Sequence, residues 1–533
     1  MHGYDIGKYA MLLAHDNGLG FGSLYPDRVY TDASDRGQGY VSDYRATMSS
    51  LLALYYGHLV NWSKRYLGLE FSAQVGYGLP VDMLELVPAV SVPEDESLGF
   101  DTSIGYGYEY LSPSNFQLPQ AIVENRLLAP SGPGYKVLVL RSTELLTTNG
   151  VDKLAQYAKQ GLSIIISGGI PNQIASAYGL SEARKKIMSL VSLPNVHIVG
   201  NGPLAPVISS IGIQPLTKVT AEQRWYTYWR ELNKDGEAYV FVYNDENSTS
   251  TGKIKFASTK LPHFLDAWTG EQTLVVEYQL EKDYTTIALT LAPHQSVIVA
   301  FLSPSRQQKR PLYVTSGPTP ALGYTYSKSG DLIVKAPFSD SGLTLSVQDK
   351  EMLISTKDVA KAFNLHDWTL VAEKWGPPAD FNDASASSSK VNTTYKLPSL
   401  LSWPLIPGLQ NTSGVGYYSN TFSWSTTSLG AFIDFGRVVH SLRVTINGHQ
   451  LPPLDVTHAR ADISPYLVKG ANEITAVIST TMINGLRPYL NRIQTSGGGP
   501  RLGSRLSFLN VEVEAGLVGE VVVIPYKRET VRA

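Results

Sequence analysis

The stretch Tyr135-Lys136-Val137-Leu138-Val139-Leu140-Arg141, followed after one helix-length interval by Ser163-Ile164-Ile165-Ile166-Ser167, decides how this chain is to be read. Two short apolar runs separated by the amphipathic segment Asn149–Gln160 predict strand, helix, strand. Helices over Gln173–Leu190 and a strand at Asn195–Val199 extend the series into an open, doubly wound (Rossmann-like) α/β domain. Gly168-Gly169 follows the second strand where a nucleotide-binding turn would sit, but no GxGxxG is present, and a plain strand-to-helix turn is the stronger reading.

Downstream, beyond residue 220, helical periodicity nearly vanishes. Ala238–Tyr243, Gly252–Ala257, Gln272–Tyr278, Thr285–Leu291 and Ser296–Leu302 are β runs at the regular spacing of a sandwich, and Tyr324–Ser346 is expected to add strands. Asp380–Lys390 has linker composition. A last all-β unit begins near Trp368, with runs at Gly416–Trp424, Ala431–Phe435, Ser441–Ile446, Glu473–Ile478 and Gly519–Ile524. Asn447-Gly448 predicts a tight hairpin, because both residues tolerate positive φ.

Upstream, Ser42 is a candidate N-cap. Apolar residues at Tyr44, Met48, Leu51, Leu52, Tyr55, Leu59, Trp62 and Tyr66 trace one helix face, with Gly68 as the stop and Trp62 expected in the core. A strand over Leu69–Tyr77, a short helix over Val81–Val87 and a strand at Ala89–Pro93 continue in the β/α order of a barrel. A complete eight-stranded barrel takes about 200–250 residues. The pattern fades by Phe100, so only part of one is expected. The expected organisation is a multidomain α/β plus all-β chain: a partial (β/α)-barrel segment (1–115), an open α/β domain (116–219), a β-sandwich (220–364) and a jelly roll (365–533).

Composition narrows the chemistry. Of 533 residues, 43% are hydrophobic and 17% charged, which favours packed cores over disorder. Lys and Arg number 44 against 46 Asp and Glu, giving no basic footprint for nucleic acid. No cysteine is present, which excludes thiolate catalysis, disulfides and cysteine-ligated metals. The ten histidines form no HExxH, and no GxSxG elbow occurs. No apolar window approaches the roughly 18 residues of a membrane span, and the start, Met1-His2-Gly3-Tyr4-Asp5, does not read as a secretory signal. Four Asn-x-Ser/Thr sequons, at Asn61, Asn247, Asn392 and Asn411, nevertheless fit a secreted ancestor; Asn61, mid-helix, is expected unmodified.

The C-terminal order Gly416-Tyr417-Tyr418, Phe422, Phe435-Gly436, Val444-Thr445-Ile446-Asn447-Gly448 and Lys469-Gly470-Ala471-Asn472-Glu473 resembles the galactose-binding-like jelly roll appended to many glycoside hydrolases. Together with Leu127–Lys136, Asp266-Ala267-Trp268-Thr269-Gly270-Glu271, and Trp368-Thr369-Leu370 with Glu373, Trp375 and Pro377-Pro378, it resembles fungal members of glycoside hydrolase family 106, the α-L-rhamnosidase-like enzymes. That resemblance implies inverting, calcium-assisted hydrolysis of terminal α-L-rhamnosides by glutamates at a barrel mouth, a carbohydrate partner and secretion. Val92-Pro93-Glu94-Asp95-Glu96-Ser97 is similar to the family's strand end, so Glu94 and Glu96 are the positions to which an acid or calcium-ligand role carries over. On an extended strand i and i+2 share a face, about 7 Å apart, and oxygen ligands suit calcium. Asp82 is a further catalytic candidate facing the same mouth, or a first-turn residue favoured by the helix dipole. Gln74 and Tyr77 are the candidate sugar contacts. Compared with the family pattern, barrel strands before Gly3 and after Phe100, and with the latter another essential glutamate, are expected to be missing. The alternative expectation is therefore a non-catalytic carbohydrate-binding or scaffold protein, for which Tyr417, Trp424, Asn447 and His449 are candidate surface residues.

Overall fold

The computed structural model describes residues 35–75, 81–94, 106–175, 179–232, 235–303, 310–316, 321–380, 383, 385–425, 429–490, 492 and 511–532. Strands predominate over helices. The chain divides into two compact units, Met1–Phe100 with Gly107–Gln214, and Asp101–Tyr106 with Pro215–Ala533.

In the first unit a helix runs from Asp35 to Leu67. Ser42 lies inside it and is not its cap, while Gly68 stops it as expected, with φ at +65° in the region where a Cβ is strained. Leu52, Ala53 and Tyr56 pack against Phe71, Ala73, Val75, Leu86 and Val90. Trp62 is not core: it is 47% exposed, and Leu51, Tyr55 and Tyr66 are exposed with it. The helix is apolar on two flanks. Its packed flank includes Ser49 and Ser63, both buried, which a count of apolar residues passes over.

After this helix come the strand Ser72–Gln74, the helix Met83–Leu86, the 3-10 turn Val87–Ala89 and the strand Val92–Glu94. The two strands pair in parallel, Ser72 with Val92, Ala73 with Pro93 and Gln74 with Glu94. A parallel pair requires the intervening crossover, and the short helix supplies it.

The same unit holds a parallel sheet of Val137–Arg141, Ser163–Ser167 and Val196–Val199 in that spatial order. Ile164, Ile165 and Ile166 are fully buried, as expected of a central parallel strand covered on both faces. Thr147 caps the helix Thr148–Lys159, its Oγ1 accepting from the Gly150 amide at 3.0 Å. The expected helix from Gln173 begins only at Leu180: Ile174–Ala175 is instead a strand paired with Leu146–Thr147.

The second unit opens with two antiparallel sheets. One orders Thr217–Ala221, Ser250–Phe256, Thr285–Leu291 and Gln279–Leu280; the other orders Trp225–Glu231, Ala238–Asn244, Ser296–Leu302, Leu261–Leu265 and Gln272–Leu274. Trp225, Val240, Val242, Ile254, Phe256, Ile287, Val299 and Phe301 fill the space between them. Further on, Ser389–Leu397, Trp368–Gly376, Ser413–Trp424, Gly470–Ser479, Arg443–Ile446 and His449–Gln450 form one sheet. Its partner sheet runs Gly323–Tyr326, Leu332–Pro337, Val521–Val531, Gly430–Asp434 and Arg460–Asp462. Trp368, Leu370, Tyr418, Ile433, Phe435, Ile474 and Val523 belong to one buried core. Leu332–Pro337, read from sequence with the preceding sandwich, is thus hydrogen-bonded to the C-terminal strand.

Candidate functional site

Parallel β/α units present the C-terminal ends of their strands to substrate. In the first unit that edge holds Gln74 and Glu94, register partners at the ends of their strands. Tyr77 and Glu96 lie outside the described residues. Asp82 sits between the strands as the N-cap of Met83–Leu86: its Oδ1 accepts from the Glu85 amide at 3.3 Å, and its own amide donates to Ser49 Oγ at 2.8 Å. That is the helix-start duty which the sequence sets beside a place at the mouth.

Glu85, which the motif reading passed over, is the carboxyl whose environment is most unusual here. Burial, and then the Asp82 charge, push its pKa above the ordinary carboxylate value, against weaker opposition from hydrogen bonds to Ser114 and Ser49. Its buried Oε2 has no hydrogen-bond partner among the described residues. The segment is braced from outside: Asn115 Nδ2 donates to the Leu84 carbonyl at 3.0 Å, and Asn115 Oδ1 accepts from the Ser112 amide at 3.0 Å. The signal was legible, since Asp82-x-x-Glu85 has the spacing of a capping box. A carboxyl biased toward its protonated form, with one oxygen uncommitted among the described residues, is the kind of group that general-acid chemistry uses.

The parallel sheet of the same unit has its own crevice at the strand ends, a cavity of about 360 Å³ lined by Arg141, Ser142, Thr143, Ser167, Asn201, Gly202 and Leu204. Gly168 stands at its edge with φ at +89°, and a Cβ there would lie 2.6 Å from Ser142 Oγ and 2.7 Å from Asn201 Oδ1. The Gly168 amide donates to the Val199 carbonyl at 2.8 Å. It is therefore spent on the adjacent strand and is not offered to a phosphate, which supports the plain-turn reading.

In the second unit the candidate sugar-lining residues separate. Trp424 is buried and lines no surface, whereas Tyr417 and His449 are exposed. Asn447, at φ +49°, accepts from the Glu473 amide at 2.8 Å and donates to the Tyr466 carbonyl at 2.9 Å and to Asn472 Oδ1 at 2.8 Å. Its side chain ties the hairpin to the neighbouring turn. No helix is long and apolar enough to cross a membrane, and no group of three or more His, Asp or Glu side chains converges as a metal site, among the described residues.

No family model matches the chain, and no curated protein matches it in sequence. Among solved structures it is similar to a rhamnosidase from Novosphingobium sp. PP1Y, with 17% identity, a TM-score of 0.49 and coverage of 75% of this chain and 34% of that one. It is also similar to a β-glycosidase from Bacteroides vulgatus (17% identity, TM-score 0.19, 31% and 20% coverage) and to a Ruminococcus gnavus β-glucuronidase (15% identity, TM-score 0.20, 32% of each chain). The chain spans about a third of the rhamnosidase's length.

Proposed function

We propose that this chain is a glycosidase-like protein of the family 106 type, acting on terminal α-L-rhamnosides through the carboxylates Glu94 and Glu96. The observation that carries the reading is the parallel pairing of Gln74 with Glu94, which places the Pro93-Glu94 segment at the C-terminal edge of a β/α unit. The sequence landmarks from Leu127 to Glu473 support it. In an inverting hydrolysis one carboxyl protonates the glycosidic oxygen while a carboxylate on the other face activates water, the two about 6.5–9.5 Å apart. Glu94 or Glu96 takes the acid role, with Gln74 and Tyr77 as sugar contacts. Glu94 and Glu96 are the carboxylates that would hold a calcium ion, and the dependence of turnover on calcium tests that role.

The test is release of the aryl group from an aryl α-L-rhamnoside, with and without calcium. Turnover that is lost in Glu94→Gln and Glu96→Gln supports the assignment; turnover that survives the double variant removes both residues from the chemistry. Saccharide binding without turnover would favour the non-catalytic reading.

A further inference from the structure

The outer face of the sheet containing Ala238–Asn244 carries a row of rings that the core does not use. Along that strand Tyr239, Phe241 and Tyr243 alternate with the buried Val240 and Val242, and the adjacent strand sets Tyr228 opposite Phe241 and Tyr226 opposite Tyr243. The rings of Tyr226 and Tyr243 stack 6.4 Å apart at 12°, and those of Phe241 and Tyr243 6.5 Å apart at 16°. Phe241 is 42% exposed and Tyr228 47%. The row ends at His294, stacked 6.4 Å from Tyr243. His294 Nδ1 lies 3.1 Å from Tyr243 Oη, and its Nε2 lies 2.7 Å from Asn247 Oδ1. Asn247-Ser248-Thr249 is a sequon, exposed in the loop between Ala238–Asn244 and Ser250–Phe256.

We propose that Asn247 is an N-glycosylation site and that the first sugars of its glycan lie along this ring row. Asn247 is exposed, and with its Oδ1 accepting from His294 Nε2–H the other amide atom, Nδ2, is the one that takes the sugar. Pyranose rings have apolar C–H faces, and this row, in which Phe241 and Tyr228 are exposed and Tyr226 and Tyr243 partly so, gives them an apolar surface to cover, while the tether at Asn247 fixes which occupant reaches it. The asparagines of the other sequons are exposed too, but each of those sequons sits in regular structure or has a buried hydroxyl. Ser63 of the Asn61 sequon is buried and donates to the Leu69 carbonyl, Ser413 of the Asn411 sequon is buried, and Asn392 lies within a strand, paired with Glu373. In the transfer the Nδ2–C1 bond forms as the C1–O bond to a lipid-diphosphate oligosaccharide breaks; the lipid diphosphate departs and the amide gives up one proton. The inference is independent of the glycosidase reading, and the experiment does not use rhamnoside turnover.

The full chain is directed through a eukaryotic secretory pathway by an added leader, and its peptides are weighed before and after peptide N-glycosidase. Conversion of Asn247 to Asp on release, abolished in Thr249→Ala, is the expected result; an unmodified Asn247 peptide overturns the proposal. Native removal of the glycan is expected to lower the melting temperature of the wild type and to leave Phe241→Ser unchanged. An equal response in both proteins overturns the packing of the glycan on the rings.

Discussion

Glu85 is a half-buried carboxyl whose pKa is raised by desolvation and by the Asp82 charge. A folded-state pKa above the unfolded value means that the native state holds the proton more tightly. Its contribution to stability is therefore complete below the ordinary value of 4.5 and is lost as pH rises through the raised one. Glu85→Gln is expected to stabilise the first unit at neutral pH and to flatten this fall, measured as urea midpoints across mildly acidic to neutral pH; an unchanged pH profile would show that the carboxyl is solvated. Gly168 makes a second residue-scale test. With φ at +89° and two polar side-chain atoms within 3 Å of any added Cβ, Gly168→Ala should cost about 1–3 kcal/mol, read from the same denaturant titrations. Both features were partly visible in sequence, one as capping-box spacing and the other as a Gly-Gly turn. What no spacing reveals is that Ser142 and Asn201 close on Gly168 from two other strand ends.

The long helix shows where element-scale reading holds and where it fails. Its existence and its stop at Gly68 follow from local signals, periodicity and a residue that tolerates positive φ. Its orientation does not, because Leu51, Tyr55, Trp62 and Tyr66 form as regular an apolar stripe as the packed flank, where Ser49 and Ser63 stand among Leu52, Ala53 and Tyr56. The same limit explains the polar Thr217–Ala221, the Trp- and Tyr-rich Trp225–Glu231 and the proline-interrupted Leu261–Leu265, strands that only pairing with a neighbour identifies. Strands with a clear apolar signal, the alternating Thr285–Leu291 and the continuous run Ser296–Leu302, were legible to the residue. The packed flank makes a contrast that can be measured. Leu86, fully buried under the helix, should cost about 2–5 kcal/mol when changed to Ala. Leu54, 72% exposed on the other flank, should change stability by no more than about 0.5 kcal/mol. Comparable losses in chemical denaturation of the two variants would mean that the second flank is covered in solution.

At the scale of the whole molecule, the C-terminal core depends on a strand that the sequence places far from it. Leu332–Pro337 pairs along Val521–Val531, from Leu332 opposite Val531 to Pro337 opposite Tyr526, and it carries Lys335 to Asp462 at 2.7 Å. Burial works against the Asp462 carboxylate, but hydrogen bonds from Lys335, Ser464 and Tyr526 outweigh it and hold its pKa below the usual value. A depressed carboxylate stabilises the fold above its unfolded pKa and ceases to do so as pH falls through the folded one. Lys335→Met should therefore lower the stability of residues 215–533 at neutral pH, and the difference from wild type should shrink as acid protonates Asp462. Cutting the chain at 365 is the harsher version of the same experiment. It strips Val521–Val531 of its neighbour, bares a long sheet edge of the kind that seeds aggregation, and leaves Asp462 without its cation. A fragment of residues 365–533 is expected to be less soluble and to unfold at lower denaturant than residues 215–533. Equal midpoints by chemical denaturation would show that the C-terminal sheets close without the borrowed strand, and that the boundary read from sequence is the folding boundary.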